Sequence, residues 1–276
     1  MRTLAQLALE IAKQALVIKD EWVREALNNL QPTDAIKHIT QDLPGCLVKG
    51  RALLLAGDCG VGKTVAMYYG FAIERAVAIK QVLESKRKDY EHYITNVRPG
   101  TLAMGEPIRP EAPVEQDETS QRKYGIMMHM YGVHLSAYEN ALRGKPEPNY
   151  SELEDALLYE TTDGYKQYYR LSAKVHRAQH LLDRYWDDKR SIYDVSREHG
   201  LIGLDDFNEG QCASEWHRNA WDEFISNRHS ARQPLIICTN LSVEGILKSY
   251  GPRIADRLRQ WAEVWDIKGK SMRRAQ

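Results

Sequence analysis

The chain lacks most of what a secreted, metal-stapled or membrane protein needs. Its four cysteines, Cys46, Cys59, Cys212 and Cys238, show no Cys-x-x-Cys spacing. That argues against a disulfide framework and a zinc ribbon, and a reduced cytoplasmic setting is expected. No apolar run approaches membrane-spanning length, so no membrane contact is expected. Neither charge sign is in surplus, because 38 Lys and Arg face 38 Asp and Glu. A nucleic-acid surface would therefore have to be a local patch. Internal repeats and low-complexity tracts are missing, which excludes a repeat architecture. The opening Met1 to Leu30 carries Glu10, Asp20, Glu21 and Glu25, unlike a secretory signal or an acid-poor transit peptide. A chain of 276 residues suits one large domain, or a core with small appendages, and has ample residues to bury a core.

What is present centres on Gly57-Asp58-Cys59-Gly60-Val61-Gly62-Lys63-Thr64, which fits the phosphate-loop pattern of a glycine, four free positions and Gly-Lys-Thr. The flanks supply the context the pattern needs. Ala52 to Ala56 is a short apolar run suited to a strand buried on both faces, and Val65 to Leu83 reads as a helix. The loop then sits at a strand-to-helix turn, where free N–H groups and the positive helix end face an anion. ATP with Mg2+ is the expected ligand. Lys63 would reach the outer phosphates and the Thr64 hydroxyl would ligate magnesium. The bland alternative is a glycine-rich turn with an incidental lysine. The Cys59 thiol is given no chemistry.

Leu4, Leu7, Ala8, Ile11, Ala12 and Ala15 recur at helical spacing, and Glu21 to Leu30 follows as a second helix. The apolar stripe of the first helix must pack on the core of this chain or on another protein. Pro32-Thr33-Asp34 opens a third helix to about Leu43, and Pro44-Gly45 is expected to end it. Residues 1–45 thus read as a small N-terminal helical element and 46–276 as the nucleotide domain, with an insertion at about 90–195. Val97 to Arg122 holds Pro99-Gly100, Gly105 and three further prolines and reads as a long loop. Tyr124 to Gly144 and Ser151 to Arg190 look helical. The latter interleaves tyrosines with bases, as in Tyr165-Lys166 and Tyr168-Tyr169-Arg170, a mixture that can stack bases and hold phosphates of single-stranded nucleic acid. The same composition also makes an ordinary helical subdomain with half-buried tyrosines. His176 and His180, four apart, would share a helix face, but no third ligand is evident and no metal site is expected there.

Strand and helix signals alternate again from Gly200. Leu201 to Asp206 is an apolar strand ending in two acids, Ala213 to Asn227 is a helix, and Pro234 to Cys238 is a further apolar strand. Such alternation implies an α/β fold with a parallel sheet covered on both faces. Asp205 would hold the magnesium hydration shell, and Asp206 would orient or deprotonate the attacking water. The alternative is that the pair caps a turn. Asn240 directly follows the second strand, where it either bonds the water or terminal phosphate or simply forms a turn.

Gly203 to Arg273 resembles the C-terminal half of bacterial replicative-helicase loaders of the DnaC/DnaI type, and more broadly the AAA+ group they share with the transposition ATPase IstB. The residues behind the resemblance are Leu204-Asp205-Asp206-Phe207, Ser214-Glu215-Trp216, Thr239-Asn240-Leu241-Ser242, Gly251-Pro252-Arg253 with Arg257-Leu258, and Gly269-Lys270-Ser271-Met272-Arg273. With Leu53 to Ala66, they span roughly 100 residues. The resemblance implies an AAA+ ATPase core, Asn240 as sensor 1, Arg253 or Arg257 as an arginine finger on a neighbouring subunit's ATP, and Arg273 as sensor 2. It implies a loader of a replicative helicase acting on DNA in single-stranded form, assembled with itself or a related ATPase. The rivals are an IstB-like ATPase serving a transposase, a P-loop kinase, and a module that holds ATP without useful turnover. The two arginines could instead form surface salt bridges, for instance with Asp256, and Arg273 could belong to a basic tail. Two departures stand out: about 140 residues separate Thr64 from Asp205, far more than loaders need, and Asp206 occupies a place where most such ATPases have Glu.

Overall fold

A computed structural model describes residues 1–18, 20–30, 33–112, 118–162, 165–168, 171–188, 190–208 and 214–269, with backbone alone at 118–119, 160–162, 165–168 and 171–172. In chain order the elements begin with α1 (Leu4–Gln14), β1 (Leu16–Val17), α2 (Glu21–Asn28), α3 (Asp34–Lys49), β2 (Ala52–Gly57) and α4 (Lys63–His92). A π-helical turn at Tyr93–Val97 leads to α5 (Arg98–Ala103), α6 (Glu118–Arg143) and α7 (Tyr150–Leu158). Then follow β3 (Tyr159–Thr162), β4 (Tyr165–Tyr168), β5 (Leu171–Ser172), β6 (Val175–Arg177), α8 (Ala178–Asp187) and α9 (Arg190–Arg197). The chain continues through β7 (Ile202–Asp205), α10 (Glu215–Ser230), β8 (Leu235–Thr239), α11 (Val243–Tyr250), α12 (Pro252–Trp261) and β9 (Ala262–Ile267). Two compact units result, one of Met1–Lys80 with Leu157–Gln276 and one of Gln81–Ala156.

The first unit is mixed α/β and built on a five-stranded sheet in the order β6-β7-β8-β2-β9. All its pairings are parallel. β7 and β8 are buried at every position and β2 at all but its last, as expected for strands covered on both faces. On one flank Phe207, Trp221 and Phe224 lie edge-to-face at 5.2 and 5.7 Å and are fully buried. Each such ring contributes roughly 2–3 kcal/mol by burial. α1 is capped by Thr3, whose hydroxyl accepts from the Gln6 N–H at 3.2 Å while Gln6 Oε1 accepts from the Thr3 N–H at 2.9 Å. Leu7, Ala8, Ile11 and Ala12 of its stripe are buried, so the chain covers that part of the stripe itself, while Leu4 is half-buried.

Several expected boundaries differ. The third helix does not stop at Pro44-Gly45 but runs to Lys49. Its buried stripe of Ile36, Ile39, Leu43 and Cys46 continues across the proline, and that packing outweighs the roughly 3 kcal/mol a helix-interior proline costs. The stop is Gly50, left-handed at φ 60°, after which the Arg51 N–H closes on the Cys46 carbonyl at 2.8 Å. α4 runs nine residues past Leu83, to His92. Pro99-Gly100 lies in the short helix α5, where proline suits the first turn.

The stretch Ser151 to Arg190 is helical only toward its ends. β3 and β4 pair antiparallel from Tyr159↔Tyr168 to Thr162↔Tyr165. The sequence between is Asp163-Gly164, the dipeptide of a two-residue hairpin, and the strands are rich in the Tyr and Thr that favour them. β6 joins the main sheet beside β7. His176 therefore stands on a strand and His180 on α8, so they do not share a helix face. β9 carries Glu263 and Asp266, which hide its apolar pattern, and an edge position tolerates them.

In the second unit α5 packs on α6. Arg98 Nε donates to the Ala141 carbonyl at 3.0 Å, the Tyr93 hydroxyl donates to the Asn140 carbonyl at 3.4 Å, and Lys145 Nζ lies 4.6 Å above the Tyr93 ring. The side chains of the tyrosine and basic run 165–170 lie outside the described residues.

Candidate functional site

Because all five strands run the same way, the loops after β2, β7 and β8 emerge at one edge of the sheet. β2 ends at Gly57, whose φ of 141° brings it so close to β9 that an added Cβ would lie 2.2 Å from the Ile267 carbonyl oxygen. Only glycine fits there. Asp58 and Cys59 are exposed, Val61 is buried, and α4 begins at Lys63.

Lys63 is 7% exposed, and its Nζ donates to the Gly57 carbonyl at 2.6 Å, the Asp58 carbonyl at 2.7 Å and Asn240 Oδ1 at 3.0 Å. Burial pulls the ammonium below the usual lysine range, opposed by Cys238, Cys59, Asp205 and Asp206. The Thr64 hydroxyl donates to Asp205 Oδ1 at 3.2 Å. Asp205 is 6% exposed, and burial, then the neighbouring Asp206, pushes its carboxyl up to about 6, with the Thr64 bond acting the other way. Asp206 is exposed and left-handed at φ 56°. A side-chain residue pays roughly 1–2 kcal/mol for that conformation. Asn240 Nδ2 donates to Cys59 Sγ at 3.2 Å, so its amide spans the loop and the lysine.

Six residues from three separate strand ends thus meet at one place: Cys59, Lys63, Thr64, Asp205, Asp206 and Asn240. The hydroxyl of Thr64 and the carboxylate of Asp205 form an oxygen donor set suited to a hard dication. A buried carboxyl held above its usual range, as Asp205 is, is the kind of group that such an ion would favour in its charged form.

Other expected residues are not brought into this cluster. Arg253 and Arg257 lie on α12, where both engage Asp222 of α10, Arg253 at 3.6 Å and Arg257 in a tighter ion pair. Asp256, the other partner considered for them, pairs instead with Arg259 at 3.0 Å. Arg273 lies outside the described residues.

Three residues at or near the cluster were not read from the sequence as part of it. Arg177 ends β6 in register with Asp205 and lowers the carboxyl's affinity for its proton. Asn208 Oδ1 accepts the Asn240 N–H at 2.8 Å, and the Tyr250 hydroxyl donates to the Asn208 carbonyl at 2.6 Å. Position at a strand end was a usable signal for Arg177. For Asn208 and Tyr250 no local pattern exists, because their partners are 32 and 42 residues away.

Among the described residues, no helix is long and apolar enough to cross a membrane. No family model and no curated relative matches the chain. Among solved structures, a proposed primosome component from Streptococcus pyogenes serotype M3 is similar, with a TM-score of 0.44 and 14% identity, over 97% of this chain and 99% of that chain.

Proposed function

We propose that the chain is an AAA+ ATPase that binds ATP with magnesium at the β2–α4 turn and hydrolyses it. The observation that carries this reading is the 3.2 Å contact between Thr64 Oγ1 and Asp205 Oδ1, which joins the end of the phosphate loop to the acid-tipped strand β7. Free N–H groups of residues 58–62 and the start of α4 face the triphosphate. Lys63 leaves its loop carbonyls for phosphate oxygens. Thr64 and Asp205 would hold magnesium, which when bound would supply positive charge beside the phosphates. Asp206 accepts the proton of the attacking water, and Asn240 orients that water or the terminal phosphate.

The partner assignment rests on the motifs Leu204 to Phe207, Thr239 to Ser242 and Gly251 to Leu258. It is a DnaC-like loader that delivers a replicative helicase to single-stranded DNA. Arg253 serves as the arginine finger of a neighbouring subunit, since it is 77% exposed whereas Arg257 is held against Asp222. Titration of ATP with and without magnesium tests the site. Lys63→Ala is expected to weaken binding about 100-fold by removing a charge-assisted phosphate contact. Equal affinity in the variant overturns the reading. Affinity capture from the native host then tests the partner, with a hexameric helicase expected and a transposase favouring the IstB-like alternative.

A further inference from the structure

β7 ends at Asp205, yet its tie to β8 does not. Beyond Asp206 the Phe207 N–H donates to the Cys238 carbonyl at 3.0 Å, and the buried Thr239 hydroxyl donates to the Phe207 carbonyl at 2.5 Å. The same hydroxyl accepts from the Leu241 N–H at 3.0 Å. The last rung is a side chain: Asn208 Oδ1 accepts the main-chain N–H of Asn240 at 2.8 Å. Asn208 is itself anchored, because its carbonyl accepts from the Tyr250 hydroxyl at 2.6 Å while the Tyr250 ring stacks on Phe207 at 4.2 Å. Asn240 is itself exposed, between the buried Thr239 and the half-buried Leu241, and the Asn208 bond is what holds its own N–H. Its amide nevertheless meets both Lys63 and Cys59.

We propose that Asn208 is a positioning residue for the nucleotide site, holding the Asn240 backbone so that the Asn240 amide stays aimed at Lys63 and Cys59, with Tyr250 fixing Asn208 in turn. The proposal rests on the nucleotide-site reading above and deepens it. Asn208 acts through Asn240. An acceptor at its Oδ1 position is what the geometry requires, so aspartate preserves the function and alanine does not.

The test uses two readouts on the full chain, one of which needs no nucleotide. Alkylation of Cys59 by iodoacetamide, followed by peptide mass spectrometry, reports whether the Asn240 amide still donates to the exposed sulfur. Asn208→Ala is expected to speed Cys59 modification about fivefold and to lower kcat for ATP about tenfold with KM within about twofold, whereas Asn208→Asp stays within about threefold of wild type on both. If alanine unfolds the protein, Tyr250→Phe keeps the ring stack and removes only the anchoring hydroxyl. A faster Cys59 reaction of about threefold is expected there. Unchanged Cys59 reactivity in a folded Asn208→Ala or Tyr250→Phe protein overturns the proposal, as does failure of aspartate to restore it. A wild-type chain that hydrolyses no ATP but shows the Cys59 pattern upholds the positioning role and removes the hydrolytic reading.

Discussion

Arg257 on α12 forms an ion pair with Asp222 on α10, and their side chains are only 26% and 20% exposed. The pair fastens α12 to the same helix that contributes Trp221 and Phe224 to the core. Arg253, one turn earlier, reaches the same carboxylate at 3.6 Å from a largely exposed position. The two arginines therefore differ in what their loss should do. Arg257→Ala should cost about 2 kcal/mol of stability, since it leaves a half-buried carboxylate short of its partner. Arg253→Ala should cost under about 0.5 kcal/mol. Denaturant melts of both proteins measure the difference.

If Arg253 acts on a neighbour's ATP, its removal lowers hydrolysis only where the chains assemble. Mixing Lys63→Ala protein with Arg253→Ala protein should restore part of the activity, because some interfaces then carry a sound loop and a sound finger. Turnover per subunit that does not vary with protein concentration argues for a monomeric enzyme.

Asp205 gives a pH signature. Its folded-state carboxyl lies at about 6, above the ordinary value of 3.8, so the folded chain binds the proton more tightly than the unfolded chain. This contribution to stability is full below about pH 3.8 and is lost as pH rises through about 6, a change of roughly 3 kcal/mol. Asp205→Asn should therefore stabilise the nucleotide-free protein at pH 8 by about 1–3 kcal/mol and show a flatter stability profile from pH 4 to 7. The same variant should lose the magnesium dependence of ATP binding. Calorimetric melts across pH, with and without MgATP, check both halves.

Asp206 separates chemistry from conformation. Asp206→Asn should bind ATP normally and hydrolyse it at least about 100-fold more slowly, since the proton acceptor is gone. Asp206→Gly should be equally inactive yet more stable by about 1 kcal/mol, because glycine adopts φ 56° without strain. Unchanged phosphate release in Asp206→Asn removes the residue from the mechanism.

Arg228 is fully buried and its guanidinium donates to the carbonyls of Glu198, Gly200 and Pro234. These carbonyls flank the entries to β7 and β8. Burial brings its pKa down to about 10, with Glu198 and Glu74 acting the other way, so it stays charged at neutral pH. Arg228→Ala should cost at least about 3 kcal/mol by stranding the carbonyls. Arg228→Lys should recover less than half of that, since one ammonium cannot reproduce the fork. Chemical denaturation of the two variants decides it.

Local chemistry explains what could be read in the sequence. β2, β7 and β8 announce themselves because strands buried on both faces must be apolar throughout. Once the strands are found, Asp205, Asp206 and Asn240 follow from their places at strand ends, and Lys63 and Thr64 from the glycine motif that opens α4. The continuation of α3 through Pro44 was hidden because the proline signal is local and the packing that overrides it is not. β9 was hidden by Glu263 and Asp266, charges an edge strand can carry. β3 and β4 were lost to a helical reading although Asp163-Gly164 marks a hairpin. Asp222, Asn208 and Tyr250 could not be found at all, because each works through a partner dozens of residues away and no spacing rule reaches that far.

The two neighbours of β2 in the sheet are β8 and β9, which come from residues 235–239 and 262–267. Gly57 of the phosphate loop also lies against Ile267. During synthesis the strand that carries the loop emerges well before either of its sheet partners, which follow roughly 180 and 205 residues later. A nascent chain must hold β2 without a sheet partner until residues 235–239 have emerged, and with one side open until residues 262–267 follow. A product truncated before Ala262 would therefore display the Gly57 to Thr64 motif without the Ile267 backbone that lies against Gly57.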